Sequence, residues 1–213
     1  MNTSTPKQFL EISGRPVVAY AIEQFEKSVL ISDIVVVCHA DHIEKMETLL
    51  KQNDIGKVYK IVPGGGTRQE SSFIGIKNCP PGTEFVLIHD AVRPFVSGRI
   101  IEDVLMAAGS SGAAGPVIDA QDTIVIKKGD LIENIPDREG FAQVQTPQGF
   151  RYEIIAVAHD RALAAKRTDF TDDLALVLAM DKPVRAVRGG LRNIKITTMA
   201  DLYLGERMLR SGE

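Results

Sequence analysis

The chain has 213 residues, 44% of them hydrophobic, with 25 Lys and Arg against 28 Asp and Glu for a formal net charge of −3. That length fits one α/β core, since single cores stop growing near about 250–300 residues. The charge excludes a general field for nucleic acid, so any phosphate must be met by locally placed cations. No apolar run reaches the ~18–20 residues that span a bilayer, Met1–Lys7 lacks a signal-peptide pattern, and Cys38 and Cys79 make neither a disulfide framework nor a metal cluster. The expectation is a reduced, soluble, cytoplasmic protein with no nucleic-acid or membrane partner.

In chain order, Pro16 suits the first turn of a helix that places Val18, Ala21, Ile22 and Phe25 on its inner face. The continuous β-branched run Ile34–Cys38 predicts a strand buried on both faces of a parallel sheet. Asp41, with Glu44 three residues on, predicts a capped helix in which Ile43, Met46, Leu49 and Leu50 recur at helical spacing. Val58–Val62 reads as a strand leading through three glycines into another helix. Phe85–Ile88 is a further apolar strand, and Ala113–Ile118 a weaker one. Later helices are predicted over Gly98–Ala108, Tyr152–Ala165, Asp172–Met180 and Met199–Leu209, with a short strand at Asn193–Thr197. This alternation argues a single α/β domain over residues 1–213, a doubly wound parallel sheet with helices on both faces.

One segment breaks the alternation. Asp122–Ile126 and Leu131–Ile135 flank Lys127-Lys128-Gly129-Asp130, which reads as a β-hairpin with a Gly-Asp turn. Such an insertion, over roughly 119–140, does not join a parallel sheet readily. It either projects as an arm that pairs with a second subunit or lies as a ribbon on its own domain.

Several clusters could carry chemistry. Gly64-Gly65-Gly66-Thr67-Arg68-Gln69-Glu70-Ser71 follows a strand and opens a helix, where bare backbone and a helix N-terminus can approach a polar or anionic ligand. A flexible connection is the plain alternative. His89-Asp90-Ala91-Val92-Arg93-Pro94 ends the most hydrophobic strand; Asp90 could hold a metal or a substrate hydroxyl, and Arg93 offers a fork for phosphate. An Asp–Arg pair that merely stabilises a loop is the alternative there, and His89 reads as structural. Lys195 in an apolar segment either snorkels outward or meets an anion. Thr171-Asp172-Asp173 reads as a helix cap, and Gln145-Thr146-Pro147-Gln148 as a turn.

Together these stretches, with Pro6-Lys7-Gln8, Asp122-Thr123-Ile124, Asp137-Arg138 and Asn193-Ile194-Lys195-Ile196-Thr197, resemble in content and order the 2-C-methyl-D-erythritol 4-phosphate cytidylyltransferase family. The resemblance runs from Met1 to about Leu209 and implies a Rossmann-like nucleotidyltransferase fold with a dimerisation arm. In the family a β-strand and a Gly-rich loop ending in Arg-Met precede the Pro-Lys-Gln. Here Met1 stands where that loop ends, so the resemblance places roughly 12–18 residues outside this sequence.

The resemblance implies transfer of CMP from CTP to a polyol phosphate, with Mg²⁺ on the CTP phosphates and no protein metal ligands. It makes Lys7 and Lys195 the catalytic cations and gives Gly64, Gly65, Ser71 and Asp90 to CTP. Asp90, Arg93, Arg138, Thr146 and Lys195 fall to the polyol phosphate, Arg138 reaching the partner's site in a homodimer. The balance of motifs favours methylerythritol phosphate. Ribitol 5-phosphate, which a closely related cytidylyltransferase uses to make CDP-ribitol, is the alternative, on Val125 and Ile135-Pro136. A reading from another class is a catalytically inactive nucleotide-binding relative without its triphosphate loop.

Overall fold

The computed structural model describes residues 5–211; the expectation attached to Met1 lies outside them. A short hairpin, β1 (Glu11–Ile12) and β2 (Arg15–Pro16), turns through Ser13 and Gly14 at φ of 50° and 77° and leads directly into α1 (Val17–Lys27). Pro16 is the N-cap of α1. Next come β3 (Ile34–Cys38), α2 (Ile43–Gln52), β4 (Val58–Pro63), α3 (Arg68–Lys77), β5 (Phe85–Ile88), α4 (Gly98–Ser111) and β6 (Ala113–Asp119). The arm carries β7 (Ile126–Lys128) and β8 (Leu131–Asn134), and the chain returns as β9 (Ala142–Val144) and β10 (Gln148–Arg151). It finishes with α5 (Tyr152–Ala164), α6 (Asp173–Leu178), β11 (Arg185–Arg188) and α7 (Met199–Arg210).

The sheet is mixed, which corrects the expectation of an all-parallel one. Its order is β11-β6-β10-β5, with β11 parallel to β6 and β10 antiparallel to both of its neighbours. The reason lies in the arm. β9 runs back along β6 with Val144 opposite Val117, so the chain re-enters the sheet reversed, with no crossover helix to restore its direction. Gly149 lets β10 pass under α4: a Cβ there would stand 2.6 Å from Val104 Cγ1.

β3 and β4 form a separate parallel pair. Between β3 and β5 lies a cleft of about 1,090 Å³ lined by Val35, Val37, Phe85 and Leu87 and reaching Arg68, Ser71 and Asp90. Ile34–Cys38 and Phe85–Ile88 are therefore mostly half-buried rather than covered on both faces. The main core joins Phe150, Ile155, Ala158 and Val177, and a second packs Phe9, Val18, Ile22 and Val36 with α2.

Three local expectations need correction. Asp41 does not cap α2: a 3-10 turn over Ala40–His42 precedes that helix, and His39 Nδ1 accepts from the Asp41 N–H instead. Asn193–Thr197 is not a strand, because its backbone is spent singly, as when the Ile196 N–H donates to the Val92 carbonyl at 2.8 Å. The hairpin strands sit nearer the turn than predicted, as Asp122–Val125 stays irregular and Gly129 adopts φ of 59°.

Candidate active site

The glycine-rich turn after β4 is shaped by its own side chains. Thr67 caps α3 by accepting from the Glu70 N–H. Ser71 Oγ donates to the Thr67 carbonyl at 2.9 Å and accepts from the Gly65 N–H at 3.1 Å. The Gly66 N–H donates to Glu70 Oε2 at 2.7 Å, and a Cβ on Gly64 would lie 2.9 Å from Ser71 Oγ. Glycine is needed at 64 because the backbone folds onto that hydroxyl.

Asp90, just past the end of β5, is surrounded by cations. Its Oδ2 is 2.9 Å from Lys195 Nζ and 3.7 Å from Arg93 Nε, while Oδ1 is 3.9 Å from Arg68 Nε. Burial raises the Asp90 pKa, but Lys195, Arg68 and Arg93 outweigh it, and the carboxyl is held below its ordinary range. Arg68 is itself anchored from behind: its Nη1 is 2.7 Å from Oδ2 of Asp173, whose side chain is 1% exposed. Arg68 also feels the charge of Asp172, so the three cations stand among Asp90, Asp172 and Asp173.

The loops are tied across the cluster. The Arg93 Nη1–H donates to the Asn193 carbonyl at 2.7 Å, and its buried Nε has no hydrogen-bond partner. Asn193 Nδ2 donates to the Thr146 carbonyl at 2.8 Å, and Gln145 Nε2 to the Gly190 carbonyl at 2.9 Å. The Asp90 N–H donates to Thr146 Oγ1 at 3.1 Å, and that oxygen is 3.0 Å from His89 Nδ1. Burial pushes the His89 pKa down to about 4.

A family model described as IspD, 2-C-methyl-D-erythritol 4-phosphate cytidylyltransferase, matches residues 1–211. The chain belongs to this family. A curated 2-C-methyl-D-erythritol 4-phosphate cytidylyltransferase of Clostridium botulinum (strain ATCC 19397 / Type A) is 42% identical over 211 residues, 98% of this chain and 91% of the relative. That of Geobacillus kaustophilus is 39% identical, covering 99% and 92%. The crystal structure of 4-diphosphocytidyl-2C-methyl-D-erythritol synthase from Anaerococcus prevotii superposes with a TM-score of 0.86 at 30% identity, over 94% of this chain and 88% of that one. The Thermus thermophilus enzyme gives 0.83 at 33%, over 96% and 94%. Cytidylyltransferases are enzymes, and the Rossmann-like nucleotidyltransferase architecture expected from sequence is the one observed.

Of the residues expected in the site, Asp90, Arg93, Thr146 and Lys195 converge, and the cleft brings Ser71 to the same rim. Ser71 and Thr146 spend their hydroxyls on the protein itself. Lys7 is exposed on a 3-10 turn before β1. Arg138 sits on the arm, its Nη1–H donating to the Gln121 carbonyl at 2.7 Å. Sequence reasoning missed Arg68 and Asp173 as site residues. The signal for Arg68 was its place within Gly-Gly-x-x-Arg-x-x-Ser and that for Asp173 its place within Thr171-Asp172-Asp173; their pairing, a contact over 105 residues of chain, had none.

Proposed function

We propose that this chain transfers CMP from CTP to 2-C-methyl-D-erythritol 4-phosphate and releases pyrophosphate. The observation that carries the reading is the trio Arg68, Arg93 and Lys195 around Asp90, beside a glycine-rich turn in a cytidylyltransferase-family chain. An oxygen of the polyol phosphate attacks the α-phosphorus in line; the new P–O bond forms as the bond to pyrophosphate breaks, and pyrophosphate leaves with the electron pair. There is little covalent work for the protein, so positioning and charge neutralisation carry the rate.

In this reading Lys195 meets the α-phosphate as its charge grows, with Lys7 as the second cation. Gly64 and Gly65 present backbone to cytosine and ribose, and Ser71 fixes that turn. Asp90 accepts substrate hydroxyls. Arg93 and Lys195 attract the polyol phosphate, and Arg138 of a second copy completes its site.

No three His, Cys, Asp or Glu side chains converge as a metal cage among the described residues. Mg²⁺ would be held mainly by the CTP phosphates, with Asp90, which faces Lys195, Arg93 and Arg68, as the carboxylate amid the site's cations. The ion supplies charge neutralisation when bound.

A homodimer is part of the proposal. Leu131, Ile132 and Ile135 of the arm are 74%, 63% and 60% exposed, apolar area on a hairpin whose edges a partner would cover. Among the described residues, no helix is long and apolar enough to cross a membrane.

Pyrophosphate release with CTP and each polyol phosphate tests the function. Turnover with methylerythritol phosphate is expected, with CTP preferred over UTP, ATP and GTP. Turnover of ribitol 5-phosphate alone transfers the chain to the CDP-ribitol reaction, and equal use of CTP and ATP defeats the assignment of the glycine turn to cytosine.

A further inference from the structure

The partners of His89 determine where its proton sits. Its Nε2 is 3.0 Å from the Arg93 carbonyl oxygen, which only accepts, so Nε2 carries the hydrogen. Thr146 Oγ1 already accepts from the Asp90 N–H, and its own hydrogen is left for His89 Nδ1. The Arg93 N–H donates to the Asp90 carbonyl at 3.0 Å, closing the turn between them. The imidazole is thus a strut: one nitrogen holds the carbonyl of Arg93, and the other orients the hydroxyl that holds the amide of Asp90. Phe25 packs on the ring at 4.9 Å between centroids and keeps it from turning.

We propose that His89 and Thr146 act as a positioning pair, a neutral Nε2–H imidazole and a hydroxyl that together set the turn presenting Asp90 and Arg93 to substrate. The inference rests on the proposed reaction, and it changes one assignment within it. The Thr146 hydroxyl donates to His89, so it has no proton left for a phosphate oxygen. Thr146 serves the polyol-phosphate site through Asp90 rather than by touching the ligand. The charged groups facing the imidazole are Asp90 and Arg93, both held by the same turn.

Two measurements test this, one independent of turnover. In the ligand-free protein, ¹⁵N NMR of the His89 ring should show a bare Nδ1 and a protonated Nε2 from about pH 5 to about pH 8. The Asp90 amide resonance should move in Thr146→Val and in His89→Gln, although the latter keeps a donor for the Arg93 carbonyl. In the assay, each variant should lose about tenfold in kcat/KM, the double variant should lose no more than about tenfold, and Thr146→Ser should recover to within about twofold. An Nδ1–H tautomer, a ring that charges near neutral pH, or an additive loss of about a hundredfold overturns the proposal. So does a Thr146→Val variant that raises only KM for the polyol phosphate while His89→Gln behaves as wild type. Circular dichroism checks folding; if His89→Gln is unfolded, the ring spectrum and the Thr146→Val and Thr146→Ser pair still decide. If neither polyol phosphate is turned over, the proposed reaction fails, and the NMR result stands on its own.

Discussion

Lys195 Nζ lies 2.9 Å from Asp90 Oδ2, with the lysine side chain 43% exposed and the aspartate 17%. The pair joins two segments that no regular strand connects, the end of β5 and the irregular stretch after β11. An ammonium held this way stays in place before substrate arrives and can still turn toward an anion in the cleft. In the proposed reaction its interaction with the α-phosphate would grow as charge develops in the transition state. Lys195→Ala should therefore lower kcat by on the order of 10²–10³, with a smaller effect on KM for CTP. Steady-state kinetics with both substrates varied checks this, and a change confined to KM would remove Lys195 from the chemical step.

The same pair sets an acid limit. The folded pKa of Asp90 is depressed: burial raises it, and Lys195, Arg68 and Arg93 more than offset that. The ionised carboxylate thus contributes stability that is fully present above its unfolded value of about 3.9 and is lost as pH falls through the lower folded value. Lys195→Ala removes the largest lowering influence, so the Asp90 pKa should climb and the carboxylate's contribution should be lost at higher pH. Following the Asp90 side-chain carbon by NMR through an acid titration measures both values. A variant pKa equal to wild type would mean that Arg68 and Arg93 hold the carboxylate without help.

Much of this architecture was legible in sequence because it rests on local pattern. Ile34–Cys38 and Phe85–Ile88 form the strands their β-branched runs predict, and Tyr152, Gly98 and Met199 begin helices as expected. Sheet direction was not legible. It depends on β9 folding back along β6, a long-range pairing that no window of residues encodes. The strand-like pattern of Asn193–Thr197 misled, since Ile194 and Ile196 are apolar because they pack with Ile12 and Val17, not because they join a ladder. In the candidate site, chemistry-bearing types at a strand's end were visible as Asp90 and Arg93. Asp173 read as a cap because capping and ion pairing use the same residue types at a helix start; Asp172 is the cap, and Asp173 turns inward to Arg68.

That inward turn makes Arg68 a structural necessity as well as a site cation. Burial lowers the Arg68 pKa, and Asp173 and Asp90 outweigh it, so the guanidinium is held above its ordinary value. Arg68→Ala would leave the buried Asp173 carboxylate without its close cation, with Ser72 Oγ at 3.4 Å and His159 Nε2 at 3.3 Å as remaining neighbours. Breaking a buried pair from one side costs about 3–5 kcal/mol; the partly exposed arginine puts this case toward the lower end. Asp173→Asn should cost less, because it removes the charge that needs a partner. Urea denaturation of the two variants compares them, and a larger loss in Asp173→Asn would show that the carboxylate is not stabilised chiefly by Arg68.

In the proposed reaction Arg138 and Lys195 both meet phosphate, in different roles and, within the proposed homodimer, from different subunits. Arg138 lies on the exposed arm, apart from the Asp90 cluster of its own chain. A guanidinium that grips the polyol phosphate in ground and transition states alike should affect binding, so Arg138→Ala should mainly raise KM for that substrate. If the arm crosses the dimer, mixing Arg138→Ala with Lys195→Ala subunits builds mixed dimers with one site carrying both defects and one carrying neither. A statistical mixture is about half heterodimer, so activity should recover toward roughly a quarter of wild type when subunits exchange freely and sites act independently. Light scattering establishes the dimer, and activity after mixing establishes the crossing. A mixture no more active than the mean of its two components would place Arg138 in its own subunit's site and leave the arm with an interface role alone.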